Sequence, residues 1–359
     1  MAQHPIKNSL PESQERILLG TTFYAKYRFF AAFLLCCGIL LAAFSVSAIW
    51  LEQGGWTFFN RLGSFFEKDS ETVTEPTDSS VSSHLGQEES QPEPPAVVIP
   101  DGATPILSLD LSYPSLGREY IHNETPYDPD VNKLLGMDLS ATLLSDAPTV
   151  LVLHTHTSES YLPSRAEYIV GAVGDATYSN DSAKNILAIG SVFCETLNKK
   201  GITAIHCTVM HDTPTLGGSY ARAEKTIAEY LVRYPSISYV IDLHRDAITT
   251  ANGEFVRSIA ESELSPTAQV MAVVGTDGNG TQFENWEENL ALALQLRERL
   301  NSNGATVCRP ITLRNASYNQ EMAPHALLLE IGTAANSVEE ATRAAEMTAE
   351  ALAAILQER

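Results

Sequence analysis

Residues 148–156 read PTVLVLHTH, a short apolar run that follows a proline and ends in two histidines. An unbroken apolar run of this length is typical of a strand buried on both faces, as in a parallel sheet. Similar strands are predicted at residues 202–207, 237–243, 268–274 and 326–331, and amphipathic helices at 181–199, 219–234, 284–301 and after Ser337. The segment Ser337–Glu340 has the pattern of a capping box. We therefore expect an α/β domain with a largely parallel, twisted sheet and helices on both faces.

The chain ahead of this domain has a different composition. Residues 29–51 are 23 residues without a charge, long enough to cross the bilayer as a helix. Lys26 and Arg28 precede them, so the positive-inside rule predicts a cytoplasmic tail at 1–28 and an extracytoplasmic body. A cleaved signal peptide is the alternative. Residues 52–104 read as a juxtamembrane segment and a disordered linker rich in Ser, Thr, Glu and Pro, which leaves 105–359 as the folded domain.

Charge and cysteine content narrow the function classes. The net charge of -21 over 359 residues argues against a nucleic-acid partner, because like charges repel. The five cysteines show no CxxC spacing. A Cys207–Cys308 bridge is conceivable, but buried free thiols are the preferred interpretation.

Three predicted strands end in residues that bind metals or move protons. Because the carboxyl ends of parallel strands share one edge, these groups are expected to converge. Imidazole and carboxylate suit Zn²⁺, and a further carboxylate can accept a proton from water. The candidates are His154, His156 and Glu159 after the first strand, His244, Arg245 and Asp246 after another, and Glu330 in the last.

Each candidate also has a structural interpretation. A histidine at a strand end is often held by ordinary hydrogen bonds, and Glu330 could form a salt bridge with Arg245 or Arg314. A serine hydrolase based on Ser158 or Ser160 is disfavoured, since neither lies in a GxSxG elbow.

Three motifs together resemble a known family. HTHTSESY at 154–161, DLHRDA at 242–247 and LLLEIGTAANS at 327–337 are similar to stage II sporulation protein P, which is related to zinc-dependent N-acetylmuramoyl-L-alanine amidases. NETPY at 123–127 also looks like that family. The resemblance runs from about Tyr120 to the C-terminus.

The resemblance implies roles for individual residues. It makes His244 a zinc ligand and Glu330 the glutamate that activates water. Another zinc histidine falls on the pair His154 and His156, with His156 favoured. Glu159 is the preferred third ligand. Asp181, at the start of the first long helix, is the fallback, while Arg245 and Asp246 would support the ligands or orient a substrate carboxylate.

The same resemblance implies an activity and partners. The expected reaction is hydrolysis of the amide between N-acetylmuramic acid and L-alanine in peptidoglycan during forespore engulfment, with cleavage of peptide cross-links as a second activity attributed to the family. The expected partners are a lytic transglycosylase and a polytopic membrane protein. The alternative is a catalytically inactive module of the same fold that binds peptidoglycan or acts as a scaffold.

Overall fold

The computed structural model describes residues 98–112, 120–144, 147–171, 177–260 and 265–358. The predicted tail, the predicted membrane segment at 29–51 and the linker up to residue 97 lie outside these ranges. Within them, no helix combines the length and the apolar character that a membrane span requires.

A seven-stranded sheet forms the centre of the domain, in the order β2-β10-β9-β11-β6-β3-β5. Its strands are β2 (Ile121–Asn123), β3 (Val150–Leu153), β5 (Ala204–His206), β6 (Tyr239–Asp246), β9 (Val270–Gly275), β10 (Ile311–Arg314) and β11 (His325–Thr333). Neighbouring strands are parallel except for β9 and β11. The prediction of a largely parallel sheet within a mixed α/β fold is confirmed.

Helices cover both faces of this sheet. They are α1 (Val131–Leu135), α2 (Ile186–Lys199), α3 (Ser219–Arg233), α4 (Trp286–Leu300) and α5 (Val338–Gln357). In β3, Val150 and Val152 pack into the core formed with α2, α4 and α5. Leu151 and Leu153 pack on the opposite side, in a cluster that includes Ile227 of α3. The strand alternation therefore assigns each residue to one of two faces, which decides the positions of the site residues.

The helix ends follow from local capping. Asn185 caps α2, its side chain accepting a hydrogen bond from the backbone N–H of Leu187. Because the cap lies at residue 185, α2 begins five residues later than its predicted start at Asp181. The predicted capping box at the start of α5 is confirmed, with Ser337 and Glu340 each bonding the other's backbone N–H.

A second, smaller sheet was not predicted. It has the order β4-β1-β7-β8, formed by β1 (Thr104–Leu109), β4 (Tyr168–Ile169), β7 (Phe255–Ala260) and β8 (Thr267–Ala268). Arg257 of β7 is fully buried, donates to the Ser108 hydroxyl at 3.0 Å and lies 3.9 Å from Glu340. This arginine links the small sheet to the N-terminus of α5.

The cysteines in the described part of the chain pack as hydrophobic residues. Cys194, Cys207 and Cys308 are free and buried. Burial raises the pKa of both Cys194 and Cys308 to about 12. The preferred interpretation, buried thiols without a bridge, is confirmed.

Candidate active site

Three strand ends meet at one cleft, as the parallel sheet predicts. Glu330 of β11 lies in register beside His244 of β6, and His156 and Glu159 come from the turn that follows β3. The cleft has a volume of about 420 Å³. It is lined by His156, Glu159, Tyr220, His244, Asp246, Met271, Val273, Thr312, Arg314, Tyr318, Leu328 and Glu330.

The two cleft histidines lie close together. The ring centroids of His156 and His244 are 5.2 Å apart, with the rings at 83° to each other. The Nδ1 atom of His156 is buried and has no hydrogen-bond partner among the described residues. A buried polar atom without a partner is costly, so it marks a position where a ligand belongs.

Glu159 is fixed beside these histidines by the backbone. Its Oε2 atom accepts a hydrogen bond from the backbone N–H of Arg245 at 3.1 Å and lies 3.4 Å from Nδ1 of His244. Its carbonyl accepts a hydrogen bond from the N–H of Ile186, the first residue of α2. The start of α2 therefore holds the turn that presents this carboxylate.

Asp242 is a site residue that the sequence reasoning missed. It accepts hydrogen bonds from the backbone N–H and the hydroxyl of Thr155, at 2.8 Å and 2.6 Å. Its Oδ1 atom is 3.1 Å from Nε2 of His244, although the two are not aligned as a hydrogen bond. The signal available in the sequence was the spacing Asp242-Leu-His244, which places both side chains on one face of β6.

The charges around His244 set its protonation. Burial by itself would lower the pKa of His244, but the Asp242 and Glu159 carboxylates outweigh it and hold the pKa well above the usual value. Without a cation in the cleft, this histidine carries a positive charge.

Glu330 is a carboxyl group without a salt bridge to any of the described residues. Its Oε2 atom is buried and makes no hydrogen bond in the described part of the chain. The pKa of Glu330 is raised to about 8, chiefly by burial; the charge of His244 opposes this shift, and the charges of Glu159 and Asp246 add to it. A carboxyl group with such a pKa can exchange a proton near neutral pH, which is what general acid–base catalysis requires.

The structural alternative for Glu330 does not hold. The Arg245 guanidinium turns away from it and donates to the carbonyls of Ser160 and Thr177. Arg314 pairs with Glu124 at 3.4 Å. Neither arginine is placed as a partner of Glu330.

His154 lies on the other face of the sheet, and the prediction that included it among the metal residues is corrected. Its Nδ1 is 3.0 Å from the carbonyl of Leu243 and its Nε2 is 2.8 Å from Nε2 of His206. Both ring nitrogens are engaged beneath Gly190, whose added Cβ would be 2.5 Å from each of the two imidazoles. Burial lowers the pKa of His154 to about 3 and that of His206 to about 4, so both are neutral. The physical reason is strand alternation, since His154 continues the face of Val150 and Val152.

Three further candidates from the sequence, Asp181, Asp246 and Ser158, have clear positions in the structure. Asp181 lies away from the cleft, where it accepts from the N–H of Ala183 and pairs with Lys184 at 3.2 Å, so it is removed as the fallback ligand. Asp246 lines the cleft and pairs with Arg309 at 2.7 Å. Ser158 donates to Asp212 and does not line the cleft, which gives the serine-hydrolase alternative no support.

The cleft presents donor atoms that suit a metal ion, although they are not gathered around one point. Within the described ranges, no three His, Cys, Asp or Glu side chains are gathered at metal-binding geometry. His156, Glu159 and His244 nevertheless line one cleft, and His156 presents a buried ring nitrogen without a partner. Two imidazoles and a carboxylate are a donor set that suits Zn²⁺ with an open fourth position. The residues present fit such an ion.

The sequence of this chain matches a known protein family. A sequence profile described as stage II sporulation protein P matches residues 66–353. The chain belongs to the stage II sporulation protein P family. A curated relative in this family, stage II sporulation protein P of Bacillus subtilis (strain 168), is 27% identical over 216 residues, covering 57% of this chain and 50% of the relative. The chain therefore matches about half the length of that relative.

Solved structures to which this chain is similar include N-acetylmuramoyl-L-alanine amidases. One from Clostridium difficile 630 is 17% identical and matches 59% of this chain and 96% of its own, with a TM-score of 0.35. Ami1 of Mycobacterium smegmatis is 13% identical and matches 60% and 100%, with a TM-score of 0.37. AmiC2 of Nostoc punctiforme is 15% identical and matches 58% and 94%, with a TM-score of 0.33.

The segment NETPY, which looks like the stage II sporulation protein P family, forms part of the rim near the cleft. The Asn123 side chain donates to the carbonyl of Tyr127 at 2.6 Å and closes the turn. The Tyr127 ring lies 4.9 Å from that of Trp286, and its hydroxyl donates to Asp277. The turn thereby carries Glu124 to the cleft residue Arg314.

Proposed function

We propose that this chain is a membrane-anchored, zinc-dependent peptidoglycan hydrolase that cleaves the N-acetylmuramoyl-L-alanine amide during sporulation. The observation that carries the proposal is the meeting of His156, Glu159, His244 and Glu330 in one cleft at the carboxyl edge of the sheet. Family membership supports the sporulation and cell-wall context.

His156, Glu159 and His244 would hold the zinc ion. When bound, zinc polarises the amide carbonyl and makes water more acidic. The protein contributes rigidity, because the Glu159 carboxylate is held by the Arg245 backbone and Asp242 lies behind His244. Such supporting contacts orient ligands and strengthen metal binding.

Glu330 would move the proton. Its Oε2 atom takes a proton from the attacking water and passes it to the leaving nitrogen of L-alanine. A cation nearby favours the ionised carboxylate, so the pKa of Glu330 would fall from about 8 on metal binding. Glu330 would then act as a base at neutral pH.

The remaining parts of the proposal concern location and partners. The 23 uncharged residues at 29–51 would anchor the chain, with the catalytic domain outside the cytoplasm. A lytic transglycosylase and a polytopic membrane protein of the engulfment complex are the proposed partners. Cleavage of peptide cross-links is proposed as a second activity of the same cleft.

A digestion of purified sacculi by the full-length chain in detergent tests the function. Mass spectrometry would separate three products: stem peptides with a free L-alanine amine, cut cross-links and intact muropeptides. We expect free L-alanine amines, loss of activity on zinc chelation and recovery on adding zinc back. His244→Ala should be inactive, while His122→Ala, which changes an exposed histidine, should match the unaltered protein.

Two outcomes would overturn the proposal. One is full activity after zinc has been removed completely, and the other is full activity of His244→Ala. Binding to sacculi with no cleavage under any metal condition would indicate the inactive peptidoglycan-binding module instead.

A further inference from the structure

Tyr220 lines the cleft, but neither the proposed zinc site nor the proposed proton transfer uses it. It is the second residue of α3 and lines the cleft together with His156 and Glu330. Its ring meets the His156 ring edge-on, with centroids 5.5 Å apart and the planes at 88°. Tyr220 therefore contacts one of the residues proposed to hold zinc.

A neighbouring segment holds this tyrosine in place. The Asn319 side chain donates to the carbonyl of Tyr220 at 3.0 Å, and the Tyr318 ring lies 5.9 Å from the Tyr220 ring. Tyr318 and Asn319 have φ values of +55° and +61°, a left-handed backbone that non-glycine residues adopt at a cost. Gln320 anchors the segment by accepting from Gly275 N–H and donating to the Val273 carbonyl. The surrounding structure maintains a strained backbone that fixes Tyr220.

The hydroxyl of Tyr220 is available to a substrate. It makes no hydrogen bond to another of the described residues, although the Tyr220 side chain is partly buried. A tyrosine hydroxyl is protonated at neutral pH and carries one O–H donor. The hydroxyl can therefore donate a hydrogen bond to a bound substrate.

We propose that the Tyr220 hydroxyl donates a hydrogen bond to the carbonyl oxygen of the scissile amide. Negative charge develops on this oxygen as water attacks, and a donor fixed in the cleft stabilises that charge more than it stabilises the ground state. The phenolic proton stays on Tyr220 throughout. The inference rests on the proposed amidase function and adds a catalytic residue to it.

Tyr220 could instead serve only as an aromatic wall that supports His156. Replacing it with phenylalanine separates the two roles, because phenylalanine keeps the ring contacts and removes the donor. Tyr234→Phe is the matched control, since Tyr234 caps the opposite end of α3 and does not line the cleft.

The test compares the two variants with the unaltered full-length protein on a soluble muropeptide. For Tyr220→Phe we expect kcat to fall by about 10²–10³-fold, the usual effect of losing one such donor. We expect KM to change by less than about twofold, with unchanged zinc content. Tyr234→Phe should retain kcat within about twofold.

A phosphinate that replaces the scissile amide gives a second readout, because its charged oxygens mimic the developing oxyanion. Tyr220→Phe should weaken binding of the phosphinate far more than binding of the product. Retention of more than a third of kcat by Tyr220→Phe would overturn the proposal, as would a loss of zinc that parallels the loss of activity. Failure of the proposed function is distinguishable, since either the unaltered protein would then release no free L-alanine amine or His244→Ala would remain active.

Discussion

The two histidines of the segment His154-Thr-His156 face opposite sides of the sheet and have different surroundings. His154 is fully buried beneath α2, with both ring nitrogens engaged by Leu243 and His206. His156 lines an open cleft and keeps a buried Nδ1 without a partner. The two imidazoles therefore differ in their capacity to bind a metal or another ligand, because a ligand can bind only to a nitrogen that has no other partner.

The same contrast applies to charge on the two faces. Burial holds His154 and His206 neutral, whereas the Asp242 and Glu159 carboxylates beside His244 raise its pKa well above the usual value. The carboxylates of Glu159, Asp246 and Glu330 line the cleft, whereas no carboxylate is among the hydrogen-bond partners of His154 and His206 in the described part of the chain. A cation is therefore expected on the cleft face only. Mutations on the cleft face should alter catalysis or metal binding, whereas mutations on the opposite face should alter stability.

The largest effect is expected for Glu330→Gln, on the cleft face. Removing the proton carrier should lower kcat by about 10³-fold, within the range for a general base. The zinc content should stay unchanged. Steady-state kinetics with metal analysis checks this, and the exposed Glu346→Gln on α5 serves as the control. A Glu330→Gln enzyme that turns over at the normal rate would remove Glu330 from the mechanism.

A smaller effect is expected for Asp242→Asn, which removes the carboxylate charge behind His244. Zinc affinity should fall by about 10–100-fold, the usual result of losing such a contact. Competition with a chromophoric chelator measures it, and Asp101→Asn in an exposed turn is the control. Unchanged affinity would mean that Asp242 serves only the turn at Thr155.

On the opposite face, Gly190→Ala should affect stability and leave zinc binding intact. The added Cβ would lie 2.5 Å from Nε2 of both His154 and His206, and such overpacking costs about 1–3 kcal/mol. Urea unfolding measures the loss. Gly217→Ala is the control because nothing lies within 4 Å of its added Cβ. Equal free energies of unfolding for the two variants would show that the two imidazoles can shift to make room for the methyl group without a loss of stability.

A pH dependence of stability is also expected from the His154–His206 pair. The folded-state pKa values of about 3 and about 4 lie below the ordinary value of 6.5. The unfolded chain therefore takes up protons first as the pH falls. The contribution of these two neutral histidines to the free energy of unfolding is complete above pH 6.5 and is lost as the pH falls towards 4. By pH 5 the loss amounts to at most about 2 kcal/mol per histidine. Urea unfolding at pH 7.5 and pH 5 tests it, and a His206→Gln protein with the same pH slope as the unaltered one would contradict it.

Much of the main sheet could be predicted from the sequence because its strands are unbroken apolar runs. Val150–Leu153 and the apolar run that precedes Glu330 in β11 both show this pattern, and sequences with helix periodicity lie between the strands. The smaller sheet was missed because the pairing of its strands joins distant parts of the chain, as β1 pairs with β7. Residue patterns carry no signal for such contacts.

The sequence predicted that several of the cleft side chains would come together, but it did not predict all of them. Strand ends correctly brought His156, Glu159, His244 and Glu330 to one cleft. The position of His154 was available from strand alternation, since it continues the face of Val152. Asp242 could have been found from its spacing to His244, which puts both side chains on one face of a strand. Tyr220 could not, because its contact with His156 depends on how the start of α3 packs against a separate turn, which no local pattern specifies.

The most direct test of the central claim is the zinc content of His156→Ala and His154→Gln proteins. Both would be purified, confirmed as folded by circular dichroism, dialysed against the same zinc buffer and measured by mass spectrometry of the metal. The two-face arrangement predicts about one zinc per chain in His154→Gln and almost none in His156→Ala. The reverse result, or equal zinc content in both, would contradict it.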